Sequence, residues 1–442
     1  MADPRPRPRP RTAPWASPDA RARLDAVESD LPSGLAEALR AAAAAAREHA
    51  RNVDQDALLL YAGGNVPPPA AAAAAANDGI GALLSGQPSM GYPGDKYQAG
   101  LDHLDVVEVA VTTAVAEVMG ARFAEIRPTS ATLANLAAYT ALARPGDTIA
   151  VLPGWAGGHL SHHAIGVAGV RGLEVVELPY DTQALDVDLD RLEPMLERDA
   201  PVLVVIGGSL MLRPHRVAAI AEQVHARGAR LLYDASHVAG LIAEGRFQAP
   251  LEEGADLMSF STYKSFGGPA GGVLATDDEA LAERLATAVY PGLTANYDIA
   301  RLLPLGAAAL EHARSAGAYA DVCIASARAL ARALAARDLP VLGAPPDFTD
   351  SHHVAIDVRA HGGGTRAARR LAAANILLSE IGCPAHDAPD PAGAIRIGTQ
   401  SVTRQGFTAA DMPAIAEAIA RGLDDETDLG ALREDVAAIR RR

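Results

Sequence analysis

One lysine has the clearest chemical purpose in this sequence. The 442-residue chain has 39 basic residues, and its only lysines are Lys96 and Lys264. Lys264 comes shortly after the apolar run Leu257–Phe260 and just before a glycine-rich turn. Arginine stays charged, whereas a lysine taken out of water can lose its proton and attack a carbonyl carbon. A GC-rich genome explains why lysine is scarce, but the position of Lys264 favours a role for its amine.

An aspartate complements this amine. Asp234 ends another apolar run and precedes Lys264 by thirty residues. In open parallel sheets, ligands bind at the carboxyl ends of the strands. A reactive amine and a carboxylate together suit pyridoxal 5′-phosphate (PLP), which forms a Schiff base with lysine and needs a carboxylate beside its pyridine nitrogen. Such an aspartate can also be a helix N-cap, and this alternative stays open.

A phosphate site is predicted at the start of a helix. Ser130, Ala131 and Thr132 lie just before or within its first turn. Hydroxyl groups and free backbone N–H groups at a helix N-terminus suit a phosphate. Because serine and threonine caps are common in all proteins, this signal is weak by itself.

A second glycine motif follows another predicted strand. Gly157 and Gly158 are expected to let the backbone approach a planar ring, and the nearby Trp155 could stack on such a ring. His159 follows the two glycines, whereas His162 and His237, taken alone, are interpreted as structural histidines.

The elements that position these residues alternate between strands and helices. Continuous apolar runs separated by helical patterns predict an α/β fold with a mainly parallel sheet covered on both faces. The predicted strands are Thr148–Leu152, Glu174–Leu178, Val202–Ile206, Arg230–Tyr233, Leu257–Phe260 and Gly272–Ala275. Further on, the strands His353–Val358 and Ala394–Ile397 and a helix over Thr365–Ala374 predict a smaller C-terminal α+β domain.

We expect four parts along the chain. Residues 1–17 alternate proline and arginine and are predicted to be a disordered tail. Residues 18–60 are predicted to form a helical segment, with Ser17 as its first N-cap and Pro18 at the first helical position. Residues 61–300 would form the cofactor-binding large domain, and residues 301–442 the small domain.

Composition excludes several classes of function. The net charge of −15 argues against nucleic acid or an anionic membrane as a partner. The two cysteines are too few for a disulfide framework and fit a reducing cytoplasm. We find no signal peptide and no stretch suited to crossing a bilayer, so a cytoplasmic enzyme acting on small molecules is expected.

These motifs, in this order, resemble serine hydroxymethyltransferase and its relatives in the fold-type I PLP superfamily. The resemblance covers residues 60 to 410 and implies a seven-stranded large domain of the aspartate aminotransferase type. The matching segments are Gly91–Gly94, Ser130 with its neighbours, Gly157–His162, Asp234–Gly240, Thr262–Ser265, Ile395–Thr399 and Thr403–Phe407.

The resemblance implies a role for each matching residue. Lys264 would be the Schiff-base lysine, Asp234 the partner of the pyridine nitrogen, and Arg396 the clamp on the substrate carboxylate. The implied cofactor-binding residues are Ser130, Ala131, Thr132, His159, Asp234, His237, Thr262, Lys264 and Gly292. Gly292 belongs to a loop that reaches the cofactor phosphate of a neighbouring subunit, which implies a homodimer or homotetramer with shared active sites.

The sequence departs from the family on the substrate side of the cofactor. Met90 replaces a glutamate that engages folate, and methionine cannot exchange a proton. Gly63 and Gly64 replace a serine and a second glutamate. Tyr97 and Gln98 replace a tyrosine pair and are expected to contact the substrate. The ring-stacking histidine is aligned with Ala156, unless Trp155 covers the ring.

The kept and lost residues together predict folate-independent cleavage of the Cα–Cβ bond of β-hydroxy-α-amino acids. Relatives with such departures include the L-threonine transaldolases, so transaldolase activity on L-threonine and an aldehyde is the favoured prediction. The candidates for the group that removes the hydroxyl proton are His159, Tyr92, Tyr97 and a water molecule. The alternatives are a folate-dependent hydroxymethyltransferase acting on serine or α-methylserine, and a threonine aldolase-type lyase.

Overall fold

The computed structural model describes residues 17–32, 35–76, 101–295, 297–385 and 389–441. The proline–arginine tail and the predicted entrance residues Met90, Tyr92, Tyr97 and Gln98 lie outside the described residues. The chain divides into a short unit that ends at Ala57 and a main unit that begins at Leu58. Whether residues 61–300 and 301–442 behave as separate domains stays a prediction.

The described residues of the short N-terminal unit form two α-helices and a short π-helix, Asn52–Asp56. Helix α1 spans Pro18–Asp30 and helix α2 spans Leu35–Arg51. The Ser17 hydroxyl accepts a hydrogen bond from the Ala20 N–H at 3.4 Å, and Pro18 occupies the first turn of α1. The predicted cap is therefore confirmed.

The main unit contains fourteen α-helices among its described residues. They are α3 Pro69–Ala75, α4 Asp102–Val118, α5 Ala131–Leu142, α6 Val167–Val170, α7 Leu189–Asp199, α8 Val217–Ala226, α9 Ala239–Ala243, α10 Glu279–Thr287, α11 Leu302–Ser315, α12 Ala318–Ala335, α13 Gly364–Ala373, α14 Gln400–Arg404, α15 Met412–Leu423 and α16 Leu429–Arg440. In the described residues, no helix is both long and apolar enough to cross a bilayer.

The strands among the described residues of the main unit form one large sheet and three smaller ones. They are β1 Leu58–Leu59, β2 Phe123–Glu125, β3 Thr148–Val151, β4 Glu174–Glu177, β5 Tyr180–Asp181, β6 Asp186–Val187, β7 Leu203–Gly207, β8 Arg230–Asp234, β9 Leu257–Ser261, β10 Gly272–Thr276, β11 His353–Asp357, β12 Ile376–Leu377, β13 Ser379–Cys383 and β14 Asp390–Gly398.

The large sheet has seven strands in the order β2-β10-β9-β8-β7-β3-β4. All neighbouring strands from β9 to β4 are parallel, whereas β10 runs antiparallel to both β2 and β9. This confirms the predicted mainly parallel α/β fold. The six apolar runs match β3, β4, β7, β8, β9 and β10, each to within about a residue. Strand β2 was not predicted from the residues.

Alternate residues of each strand pack on opposite faces of the large sheet. Ile149 and Val151 of β3 belong to one apolar cluster, and Ala150 belongs to another. Helices cover both clusters, which is why these strands read as continuous apolar runs in the sequence. Because the strands are parallel, the ends of β3, β7, β8 and β9 lie along one edge of the sheet.

A second sheet positions the predicted carboxylate clamp. Strands β11, β14 and β13 form an antiparallel sheet, with Arg396 on the central strand β14 paired to Ala355 and Ser379. Ile395 and Ile397, the two neighbours of Arg396, are buried in the cluster beneath this sheet. The alternation of side chains along a strand therefore directs Arg396 to the opposite face.

Candidate active site

Lys264 lies in a buried loop directly after β9. Its side chain is 7% exposed, and its Nζ lies 3.0 Å from Nε2 of His237. Burial lowers the pKa of Lys264 to about 8; the charge of Asp234 opposes this shift, and that of Arg396 adds to it. A lysine with this pKa is partly neutral at neutral pH, as a nucleophilic amine requires.

Asp234, the last residue of β8, is 2% exposed. One carboxylate oxygen is 2.8 Å from Nε2 of His162, and the other accepts the Ser236 N–H at 2.9 Å. Burial raises the pKa of the Asp234 carboxyl, but the hydrogen bond and charge of His162 outweigh burial, so that the pKa is lowered overall. The carboxylate is therefore ionised at neutral pH, as a partner for a protonated pyridine nitrogen must be.

A histidine and a tyrosine orient this carboxylate from behind. Nδ1 of His162 lies 2.5 Å from the hydroxyl of Tyr139 on α5, and both residues are buried. His162, taken alone, was predicted to be structural, and no sequence pattern pointed to Tyr139. A buried ring that links a hydroxyl to a carboxylate fixes the position of that carboxylate. The alternative of Asp234 as a simple helix N-cap does not describe these contacts.

His237 and Arg396 come together beside Lys264. Arg396 Nη1 lies 3.4 Å from His237 Nε2 and also donates to the Ser209 carbonyl, while Nη2 donates to the Ser379 hydroxyl at 3.2 Å. Burial lowers the pKa of Arg396 to about 10, so its guanidinium stays charged at neutral pH. Burial likewise lowers the pKa of His237 well below its usual value, which keeps this ring neutral.

His159 follows β3 and is half-buried. Its Nδ1 lies 2.8 Å from the Ser161 hydroxyl and accepts the Ser161 N–H at 3.1 Å. Burial lowers the pKa of His159 to about 4, although the negative charge of Asp234 acts in the opposite direction. The ring is therefore neutral at neutral pH.

The two glycines before His159 serve packing of the protein itself. A Cβ at Gly158 would lie 2.0 Å from the Leu152 carbonyl oxygen, and one at Gly157 would lie 2.6 Å from Cβ of Leu210. Trp155 packs edge-on against Tyr180, with ring centroids 5.5 Å apart. Neighbouring protein atoms fill the space on the Cβ side of both glycines, so packing of the protein itself requires them, and their approach to a planar ring stays a prediction.

Ser130 caps the helix predicted to hold the phosphate. Its hydroxyl accepts the Leu133 N–H at 3.2 Å, and Ala131 and Thr132 form the first residues of α5. A Cβ at Gly272 would lie 2.3 Å from the Ser130 carbonyl oxygen, so the start of β10 packs directly under this turn. The backbone N–H groups at the start of a helix favour an anion.

Thr262 and Gly292 are two other predicted cofactor-binding residues. The Thr262 hydroxyl donates to the Pro269 carbonyl at 2.5 Å, which closes the loop that carries Lys264. Gly292 lines the same surface depression as Ala141 and Leu142, at the far end of α5 from Ser130. Since a twelve-residue helix is about 18 Å long, Gly292 is far from the Ser130 turn of its own chain.

Two further buried histidines lie behind His237. The His353 ring centroid is 5.1 Å from that of His237, and the His352 centroid is 4.3 Å from that of His353. The Met211 N–H donates to Nδ1 of His353 at 3.2 Å, so the neutral ring carries its proton on Nε2. Burial lowers the pKa of both rings, that of His352 to about 3. The sequence signal for them was the His–His pair that opens β11.

The arrangement fits PLP. A buried amine, an ionised carboxylate and a capped helix N-terminus meet the needs of the aldehyde, the ring nitrogen and the phosphate, respectively. Nδ1 of His237 and Nε of Arg396 are buried without a hydrogen-bond partner in the described part of the chain. Buried polar atoms normally have partners, so these two atoms indicate a site for a polar ligand.

Residues 43–419 match the family model described as serine hydroxymethyltransferase. The chain belongs to this family. It is therefore an enzyme that uses PLP and acts on small molecules. The predicted cofactor is confirmed.

Individual relatives carry different activities. The chain is 44% identical to an α-methylserine aldolase of Variovorax paradoxus, over 78% of each chain. It is 42% identical to a serine hydroxymethyltransferase of Methanopyrus kandleri, over 79% of this chain and 82% of the other. A solved structure of L-threonine transaldolase from Pseudomonas fluorescens matches with a TM-score of 0.80, 25% identity and 90% coverage of both chains.

Proposed function

We propose that this enzyme cleaves the Cα–Cβ bond of an α-methylated serine without folate, releasing formaldehyde and alanine. The observation that carries the proposal is the state of the carboxylates around Lys264. In the described part of the chain, Asp234 is the carboxylate that acts on the lysine, and both of its oxygens are already bonded. With Gly63 and Gly64 replacing polar residues of the family, the described site offers no free acid for one-carbon transfer to folate.

The similarity to α-methylserine aldolases supports this choice of substrate. The reaction balances without a second substrate: the β-hydroxyl proton leaves, the Cα–Cβ bond breaks, and Cα gains a proton. PLP, when bound, supplies the electron-withdrawing ring that no side chain provides.

The side chains of this chain would divide the remaining tasks. Arg396 would bind the substrate carboxylate, and His237 would hydrogen-bond to the amine of Lys264. Asp234, held by His162, would keep its negative charge in the low-dielectric interior. His159 is neutral at working pH and could accept the hydroxyl proton. Tyr92 and Tyr97 are also proposed as candidates for the group that accepts the hydroxyl proton. Tyr97 and Gln98 are proposed to contact the substrate.

The transaldolase predicted from the sequence is the second candidate. Its support is the fold similarity to L-threonine transaldolase over 90% of both chains. In that reaction Cα would form a bond to the carbonyl carbon of an acceptor aldehyde instead of gaining a proton.

One incubation separates the candidates. Purified holoenzyme is supplied with each enantiomer of α-methylserine without folate, and formaldehyde and alanine are quantified. We expect equal amounts of both products from one enantiomer. A strict requirement for tetrahydrofolate would instead identify a hydroxymethyltransferase. A parallel reaction with L-threonine and benzaldehyde tests the transaldolase: a new β-hydroxy amino acid together with acetaldehyde would favour the second candidate.

We also propose that the enzyme is a cytoplasmic homodimer or homotetramer with shared active sites. The position of Gly292 at the far end of α5 supports sharing, because this residue could reach a Ser130 turn only on a neighbouring subunit.

A further inference from the structure

The space above Gly63 is filled by the ring of Tyr61. A Cβ at Gly63 would lie 2.5 Å from both Cζ and Oη of Tyr61. The phenol is therefore folded back over its own loop. Tyr61 nevertheless remains 42% exposed.

The loop that carries Tyr61 is hydrogen-bonded to strand β14, which carries Arg396, and to the residues that follow this strand. The Gly398 N–H at the end of β14 donates to the Leu60 carbonyl at 2.9 Å. The Gln400 side-chain amide donates to the carbonyls of Tyr61 and Gly64, at 3.0 and 2.7 Å. These bonds fix the backbone of the tyrosine relative to the arginine.

The tyrosine is also close enough to Arg396 to affect its pKa. Burial lowers the pKa of Arg396, and a negative charge on the Tyr61 oxygen would act to raise it. Each Nη atom of Arg396 already donates one hydrogen bond, to Ser209 and to Ser379, so two of the five N–H groups of the guanidinium are engaged by the protein. A carboxylate has two oxygens, each able to accept more than one hydrogen bond, so a second donor beside Arg396 would be used.

We propose that Tyr61 and Arg396 together bind the carboxylate of the amino-acid substrate, with the Tyr61 hydroxyl donating a hydrogen bond to it. This inference rests on the proposed function, because it takes an α-amino acid as the ligand. Gly63 is then the residue that makes room for the phenol.

The inference is tested by comparing how tightly the enzyme binds a ligand that has a carboxylate with how tightly it binds the neutral amide of the same ligand. Wild-type and Tyr61→Phe holoenzymes are titrated with alanine and with alaninamide, and binding is followed by calorimetry and by cofactor absorbance. We expect Tyr61→Phe to bind alanine about 10-fold more weakly, as for a lost hydrogen bond to a charged group. Alaninamide affinity should stay the same. In the cleavage assay KM should rise while kcat changes little.

A rescue variant distinguishes binding from packing. Since a Cβ at position 63 falls 2.5 Å from Oη of Tyr61, the serine hydroxyl in Tyr61→Ala/Gly63→Ser should reach nearly the same point. This double variant should bind alanine better than Tyr61→Ala, at a similar Tm. The inference would be overturned if Tyr61→Phe lost the same affinity for alanine and for alaninamide, or lost no affinity for either.

The same titration separates the inference from the proposed function. If alanine binding depends on Tyr61 while α-methylserine is not cleaved, the proposed reaction falls and the tyrosine role stands. If cleavage occurs but Tyr61→Phe binds alanine normally, only the tyrosine role falls. A wild-type enzyme that does not bind alanine would overturn both.

Discussion

At the scale of single residues, the protonation of Lys264 decides when the enzyme can capture its cofactor. Burial lowers the pKa of this amine to about 8, and the charge of Asp234 limits the shift. At pH 7 about a tenth of such amines are neutral, compared with less than a thousandth for an exposed lysine. The buried environment, more than the residue type, makes the lysine a usable nucleophile.

We predict that PLP incorporation into apoenzyme depends on pH through Lys264. The neutral amine increases as pH rises, so the incorporation rate should rise to a plateau with a midpoint near pH 8. Stopped-flow absorbance on apoenzyme measures the rate. Asp234→Asn removes the charge that raises this pKa, and its midpoint should lie at lower pH. A wild-type midpoint above pH 10 would show that the amine is not desolvated.

At the scale of elements, glycines allow the loops at the sheet edge to pack closely. Gly158 lies against the carbonyl of Leu152 at the end of β3, where a Cβ would be 2.0 Å from the oxygen. Gly272 lies equally close beneath the Ser130 turn. These contacts fix the positions of the loops that carry His159 and Ser130 relative to the sheet.

We predict that Gly158→Ala destabilises the protein by about 2 kcal/mol or more, because backbone atoms must move to relieve the overlap. Urea unfolding measures the change. Gly120→Ala is the matched control: Gly120 has φ +64° and no atom within 4 Å of an added Cβ. Its cost should be about 1 kcal/mol, from backbone strain alone. Similar decreases in the free energy of unfolding for the two variants would contradict the packing explanation.

At the scale of the whole molecule, the position of Gly292 is relevant to the proposed oligomer with shared active sites. Gly292 and Ser130 are associated with opposite ends of α5. A site completed by a neighbouring subunit would make activity depend on assembly.

We predict that two inactive variants complement each other. Lys264→Ala removes the amine, and Gly292→Trp blocks the loop that would reach the neighbouring site. In a mixed dimer one site carries both changes and the other carries neither, so co-refolding equal amounts should recover about a quarter of wild-type activity. Activity after mixing is measured against each variant alone. A mixture as inactive as its components would indicate that each subunit works alone.

Several features of the fold could be predicted from the sequence because they depend on local patterns. Runs of apolar residues long enough for buried strands fixed β3, β4, β7, β8, β9 and β10 to within about a residue. Strand β2, with only three half-buried residues, carried no such pattern. The reversed direction of β10 was also missed, because a strand's composition does not record its direction.

What the sequence determined by itself was the inventory of reactive groups, and hence the cofactor. An amine at 264, a carboxylate at 234 and a guanidinium at 396 follow from residue identity. Only the tertiary structure decided how these groups behave. The bond from His162 to Asp234 joins segments that are distant in the sequence, and the placement of Tyr61 over Gly63 depends on how its loop folds back. Proton affinity depends on burial and on neighbouring charges, which exist only once the chain has folded.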